Sequence, residues 1–295
     1  MLTRLAIVVI AVAGLTAGCG TGALPAKPGV VRVVAAENFW GNIASQIGGK
    51  HVEVSSIIAD PNVDPHAYQS DPRDAAAIAN AQLVIENGLG YDGFIDKTLA
   101  AVGGHRRVLS AQNVLHLAGS DANPHVWYST QYVDQVAQAI ASQLTKLDPK
   151  DGWSFTLGLT RFLDALKPLN ATIDSINAEY AGTPVGYTER VPGYLVAAAH
   201  LKVASPTSFA QAIEDGNDPS PGDVATFDAD IRNHKIAVLL YNAQVVDAAT
   251  TRLKQLAIAS GVPVVGVTET LPSTDGSFQA WQLRQDRELL RALGG

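Results

Sequence analysis

Two runs of alternating strands and helices flank one uninterrupted helical seam. Together they predict an α/β fold of two parallel-sheet lobes bridged by one long helix. In the first run, residues 30–35, 51–58, 82–86 and 107–109 are short and β-branched, as strands are. Residues 39–47, 94–102 and a stretch announced by Ser70-Asp71-Pro72 have helical patterning. The second run repeats the alternation, with strands at 184–188, 202–204, 235–241 and 262–268. Its helices fall at 192–200, 209–213, 220–233, 245–259 and 278–293. Strands separated by helices of this length must be joined by crossovers, and crossovers make parallel sheets.

Between the runs lie two helical segments. Tyr132, Val136, Ile140, Leu144 and Leu147 form an apolar stripe that Asp148-Pro149 stops. Then Phe155, Leu159, Phe162, Leu166, Leu169, Ile173, Ile176 and Tyr180 recur at alternating steps of four and three. At 1.5 Å per residue this seam is roughly 40 Å long, the span of a whole domain, and suits a spine. Pro168 sits inside it and is expected to kink or break it locally.

The amino terminus carries its own signal. Arg4, an apolar stretch from Leu5 to Leu15, and Thr16-Ala17-Gly18-Cys19 have the layout of a bacterial secretion leader ending in a lipobox. Cys19 is then the acylated first residue of the mature chain. The apolar run is too short for a membrane span. Thr16 stands where such motifs usually have Leu; plain secretion with a free cysteine is the alternative. The expected division is a signal peptide over 1–18, a lipid anchor and spacer over 19–29, and an N-terminal lobe over 30–150. A linking helix over 151–182 and a C-terminal lobe over 183–295 complete it. The mature chain works outside the cytoplasm, on the outer face of the cytoplasmic membrane or in the periplasm. Cys19 is the only cysteine, so no internal disulfide supports the fold. A net charge of −7 argues against nucleic acid as a partner. Apolar residues make up 47% of the chain and charged ones 17%, a globular balance.

In open parallel sheets, ligands bind beyond the carboxyl ends of the strands. Four metal-ligating side chains occupy such places. His66 lies in Asp64-Pro65-His66, after the strand at 51–58. His125 lies in Asn123-Pro124-His125-Val126-Trp127, before the first long helix. Glu189 and Glu269 follow the strands at 184–188 and 262–268 directly. Two come from each half, so a shared site would lie between the lobes. Two neutral imidazoles and two carboxylates would neutralise a divalent cation and let it be buried. Taken singly, each has an ordinary reading: a solvated loop histidine, or a glutamate at a helix start. Glu37, ahead of Phe39-Trp40, is read as a helix-start residue, His200 as structural, and His51, His105 and His234 as exposed. His116 is within reach of the His125 loop. There is no GxSxG, P-loop, HExxH or paired CxxC motif.

The lipobox, Asp64-Pro65-His66, Asn123-Pro124-His125-Val126-Trp127, the spine and Glu189-x-x-x-Gly193-Tyr194-Leu195 together resemble a known family. It is that of the metal-binding solute receptors of bacterial zinc/manganese ABC importers. The similarity runs from about residue 31 to the carboxyl terminus. It implies two α/β lobes on one rigid helix, with one divalent ion, Mn2+ or Zn2+, bound between them as transported ligand rather than cofactor. It also implies a monomer that hands its cargo to an ABC permease while an acylated Cys19 holds it to the bilayer, and no catalysis. By the same resemblance His66 and His125 are the N-lobe ligands. Glu189 stands where zinc receptors tend to have His and manganese receptors Glu. Glu269 stands where Asp is usual, which raises Asp275 as a neighbouring substitute. Asn123 replaces a common Asp, and the His-rich loop of many zinc receptors is missing. Two other classes remain open: a zinc-dependent hydrolase, which would keep a coordination position for water, and a helix-bridged receptor for a siderophore or corrinoid.

Overall fold

The structure, a computed structural model, describes residues 29–60, 63, 65, 68–119 and 122–295. The leader, Cys19 and His66 lie outside the described residues. The chain runs β1 (Val31–Glu37), α1 (Asn38–Gly48), β2 (Val52–Ile58), α2 (Pro72–Asn80), β3 (Leu83–Glu86), α3 (Phe94–Val102), β4 (Arg107–Ser110) and α4 (Ala111–Val114). Three long helices follow: α5 (Thr130–Leu147), α6 (Gly152–Ala165) and α7 (Lys167–Tyr180). The second half runs β5 (Pro184–Tyr187), α8 (Gly193–Ala198), β6 (Lys202–Val203), α9 (Thr207–Glu214), α10 (Pro221–Arg232), β7 (Val238–Asn242), α11 (Ala248–Ala259), β8 (Val264–Val267) and α12 (Phe278–Leu293).

Both sheets are wholly parallel, in the orders β2-β1-β3-β4 and β6-β5-β7-β8. The second repeats the first strand for strand. Each order reverses direction once, between β1 and β3 and between β5 and β7. Those are the crevices where side chains from neighbouring strand ends can converge on a ligand.

Local signals account for the boundaries. Asp71 caps α2 by accepting from the Arg73 and Asp74 amides, and Pro72 opens the helix. The helix expected over 245–259 begins only at Ala248. Asp247 caps it in a reciprocal box with Thr250, which leaves 243–246 as a loop at the end of β7. Lys235–Ala237 precede β7 rather than open it, because the Lys235 amide donates to the Asp230 carbonyl to close the end of α10.

The spine is one long helical segment, α6 and α7, with the local break expected near Pro168 confined to a single residue. Pro168 has no N–H to give the Asp164 carbonyl, and the break falls at Leu166, whose amide donates to Leu163 in a tighter turn. Leu166 keeps φ −78° and ψ −16°, so the axis continues through it. The expected seam holds: Phe155, Phe162, Leu166, Leu169, Ile173 and Ile176 are buried. Gly158 lets α6 lie directly on α1, since a Cβ there would come within 2.1 Å of the Ile47 carbonyl oxygen.

One hydrophobic core crosses from lobe to lobe. Phe39 of α1 stacks on Trp127 at 4.2 Å between ring centroids, and both belong to a cluster reaching Phe278, Trp281 and Leu289 of α12. A polar ladder on α1 reinforces it. Asn38 exchanges two hydrogen bonds with the backbone of Leu271, Asn42 accepts from the Phe278 amide, and Gln46 pairs with Gln279. A buried apolar seam and matched polar pairs leave little freedom for hinge motion.

Candidate metal centre

Three of the four expected ligands meet at the junction of the lobes, all essentially without solvent exposure: His125, Glu189 and Glu269. His66 lies outside the described residues. Among the described residues, no group of three or more His, Cys, Asp or Glu side chains has the spacing to hold a metal ion by itself. The arrangement is nonetheless close and specific.

His125 comes from the turn before α5. Its Nδ1 lies 2.7 Å from Asn123 Oδ1, which also accepts the His125 amide at 3.1 Å. Asn123 Nδ2 donates to the Arg190 carbonyl, so Oδ1 is fixed as the acceptor and Nδ1 must carry the proton. Nε2 is then the ring nitrogen turned toward Glu269 Oε2, at 3.6 Å, and it is the nitrogen that a neutral imidazole with Nδ1 protonated would offer a metal. Gly193 makes room for this bracket, because a Cβ there would lie 2.7 Å from Asn123 Nδ2.

Glu189 and Glu269 follow β5 and β8, and Asn242, the last residue of β7, stands between them. Its Nδ2 donates to Glu189 Oε2 at 3.1 Å and to Glu269 Oε1 at 2.7 Å. The amide cannot flip, since Asn242 Oδ1 accepts the Gln244 amide. Tyr91 from the N-terminal lobe donates to Glu269 Oε2 at 2.8 Å. Gln244 Oε1 accepts from the Glu269 and Thr270 amides and fixes the backbone there. Arg190, next to Glu189, turns away into a two-pronged pair with Glu214, at 2.9 and 2.6 Å. Asp275 pairs with Arg284 instead of entering the site.

The other histidines separate clearly. His200 is exposed, and its contacts are structural. It closes α8 at φ +51°, its carbonyl accepts the Gly182 amide, and its ring meets Asn177. His51 is half-buried against Asp151 at 2.8 Å, not simply exposed as expected. His116 is exposed in a left-handed turn, and His105 and His234 are exposed.

Glu37 ends β1 fully buried. It occupies the N-cap position of α1, yet its side chain makes no capping bond, so the helix-start reading describes its place and not its role. Burial, and next the nearby Asp92 carboxyl, push its pKa well above the ordinary carboxylate range. Asp92 is raised to about 6 and Glu86 to about 7, burial being the first cause for both. Asp92 accepts the Asn87 and Gly88 amides. Asn87 in turn accepts from Trp40 Nε1 and donates to the Pro124 carbonyl, beside His125. A buried polar network thus supports the imidazole from below. Sequence reasoning missed Asn242, Tyr91 and Gln244. The rule that found the glutamates also reaches Asn242, because it ends a buried strand.

Two parallel-sheet lobes on a helical spine, with a buried imidazole and two buried carboxyl groups at their junction, have the architecture of a solute receptor. The family model for the periplasmic component A of the zinc-uptake complex, ZnuA, matches residues 33–292, and the chain belongs to that family. The manganese-binding lipoprotein MntA of Bacillus subtilis is 29% identical over 174 residues, 56% of each chain. The zinc-binding protein TroA of Treponema pallidum is 27% identical over 46% of this chain and 49% of its own. The matches thus span about half the length of these curated relatives. In fold, the structure of the T. pallidum TroA superposes with a TM-score of 0.77 at 19% identity, over 90% of this chain and 100% of that one. The manganese-bound periplasmic metal-binding protein of Candidatus Liberibacter asiaticus gives 0.75 at 20%, over 89% and 99%.

Proposed function

We propose that this protein captures one divalent transition metal ion outside the cytoplasm and delivers it to an ABC import permease. The ion is cargo, and no chemistry is done on it. The observation that carries the reading is the pairing of His125, held by Asn123 through Nδ1, with Glu269, beside Glu189, all three buried at the junction of the lobes. With His66, the remaining expected ligand, the set offers two nitrogens and up to four oxygens. Bound metal replaces the Asn242 amide as the main counter-charge between the two carboxylates, and the resulting site is neutral. The oxygen-rich set suits Mn2+. The intrinsic order of affinities nevertheless favours Zn2+ at any site of this kind, so selection rests on geometry and supply.

The protein acts as a monomer tethered through an acylated Cys19, beside its permease. Among the described residues, no helix is long and apolar enough to cross a membrane. Calorimetric titration with Mn2+ and Zn2+ tests the site. One ion per chain is expected for the native protein, and loss of binding on His66→Ala or Glu189→Ala. Unchanged affinity in either variant would discard the assignment. Turnover of an ester or amide substrate would instead favour the hydrolase reading.

A further inference from the structure

We propose that, between deliveries to the permease, the amino-terminal face of α6, centred on Trp153, rests on the lipid bilayer that holds the tether and leaves the metal centre turned to the medium. This rests on the tethering role of Cys19 proposed above. Trp153 is 78% exposed, whereas Trp40, Trp127 and Trp281 are buried at 0–1%. Phe155, two residues on, points inward and is fully buried. Leu157, one turn beyond Trp153, is 37% exposed, and Arg161 follows on the same face. An indole beside aliphatic and cationic side chains is the chemistry of a membrane–water interface.

The chain itself says which surface covers this face. Gly29 sits against Lys150, whose Nζ would lie 3.2 Å from a Cβ built there, and Lys150 is one helical turn from Trp153. From Cys19 to Gly29 is ten residues, at most about 35 Å when extended and roughly 17 Å as a flexible coil. The tether therefore joins the fold beside the start of α6 and keeps that end within about 35 Å of the lipid. Lys146 in the last turn of α5, Lys150 in the turn that follows it, and Lys50 beside the His51 that pairs with Asp151 are all exposed. Of the acids nearby, Asp148 and Asp151 are both within reach of Lys150, and His51 holds Asp151. A short tether gives a local concentration of about millimolar, so a weak interfacial contact suffices. β1 begins two residues after Gly29 and ends at Glu37, against the Asp92–Asn87–Pro124 network behind His125. With Trp153 on the lipid, the opposite ends of the strands face the medium from which metal arrives.

Cys19 is the sole cysteine, so the mature chain can be coupled there to a maleimide phospholipid whether or not cells acylate it. The lobes and their cores lie wholly within residues 29–295, so the mature chain folds without its leader. The coupled protein is placed on vesicles of phosphatidylglycerol and brominated phosphatidylcholine. Bromine is expected to quench about a quarter of the tryptophan emission, one residue of four. Aqueous iodide should lose its access to that fraction, and Trp153→Ser should abolish both effects while metal binding is unchanged. Emission that stays unquenched by lipid and open to iodide would overturn the proposal, as would quenching that survives Trp153→Ser. Mass spectrometry of Cys19 from cells reports the native acylation separately, so failure of the tether and failure of the surface are told apart.

Discussion

Replacing Asn242 with Leu keeps the volume at the centre of the site and removes the amide that separates Glu189 from Glu269. Each of its two hydrogen bonds, at 3.1 and 2.7 Å, ends on a buried carboxylate. Hydrogen bonds to charged groups contribute roughly 1.5–3 kcal/mol each, and leucine admits no water in their place. The metal-free protein should therefore lose about 3 kcal/mol, taking the lower value because one NH2 group serves both acceptors. At about 2–4 °C per kcal/mol for a chain of this size, the melting temperature should fall by roughly 6–12 °C. With metal bound, the cation faces the same carboxylates, and the fall should be smaller. Differential scanning calorimetry of both forms in both proteins measures the two shifts. Equal shifts with and without metal, or no shift at all, would show that Asn242 does not hold the carboxylates apart.

Three further outcomes follow from the same coordinates. Asn123→Ala frees the His125 ring and its tautomer and should lower metal affinity about 10–100-fold with little loss of secondary structure, read by competition titration and circular dichroism. Gly158→Ala sets helix propensity against packing. Propensity alone would stabilise by about 1 kcal/mol, but the clash with the Ile47 carbonyl should reverse the sign and cost about 2 kcal/mol in a urea melt. Glu86 has a folded pKa of about 7 against an ordinary value of 4.5, so its ionisation opposes folding. Its contribution is intact below about pH 4.5 and is lost as pH rises through 7. Glu86→Gln should flatten the decline in melting temperature across that window, and an unchanged profile would place the titration elsewhere.

Much of the fold was legible because its signals are local. β-branched runs, caps at Asp71 and Ser220, and the four-three spacing of the spine each name an element without help from the rest. The strand order was less accessible, since it depends on which faces are covered and no local pattern encodes that. The site was legible only in part. His125, Glu189 and Glu269 follow strands or precede a helix where ligands gather, and the Pro-His pair drew attention to one of them. Asn242 and Tyr91 carry no such mark, because an amide and a phenol become functional only through the carboxylates they meet. Glu37 was misleading for a related reason. Its sequence position is that of a cap, but the chain folds its side chain inward against Asp92.

X-ray absorption at the metal edge of the loaded protein reports the inner shell directly. Two imidazoles with carboxylate oxygens and no sulfur are expected, with one imidazole lost in His125→Ala. A spectrum lacking imidazole scattering, or one that His125→Ala leaves untouched, would mean the cation sits somewhere other than the junction of the lobes.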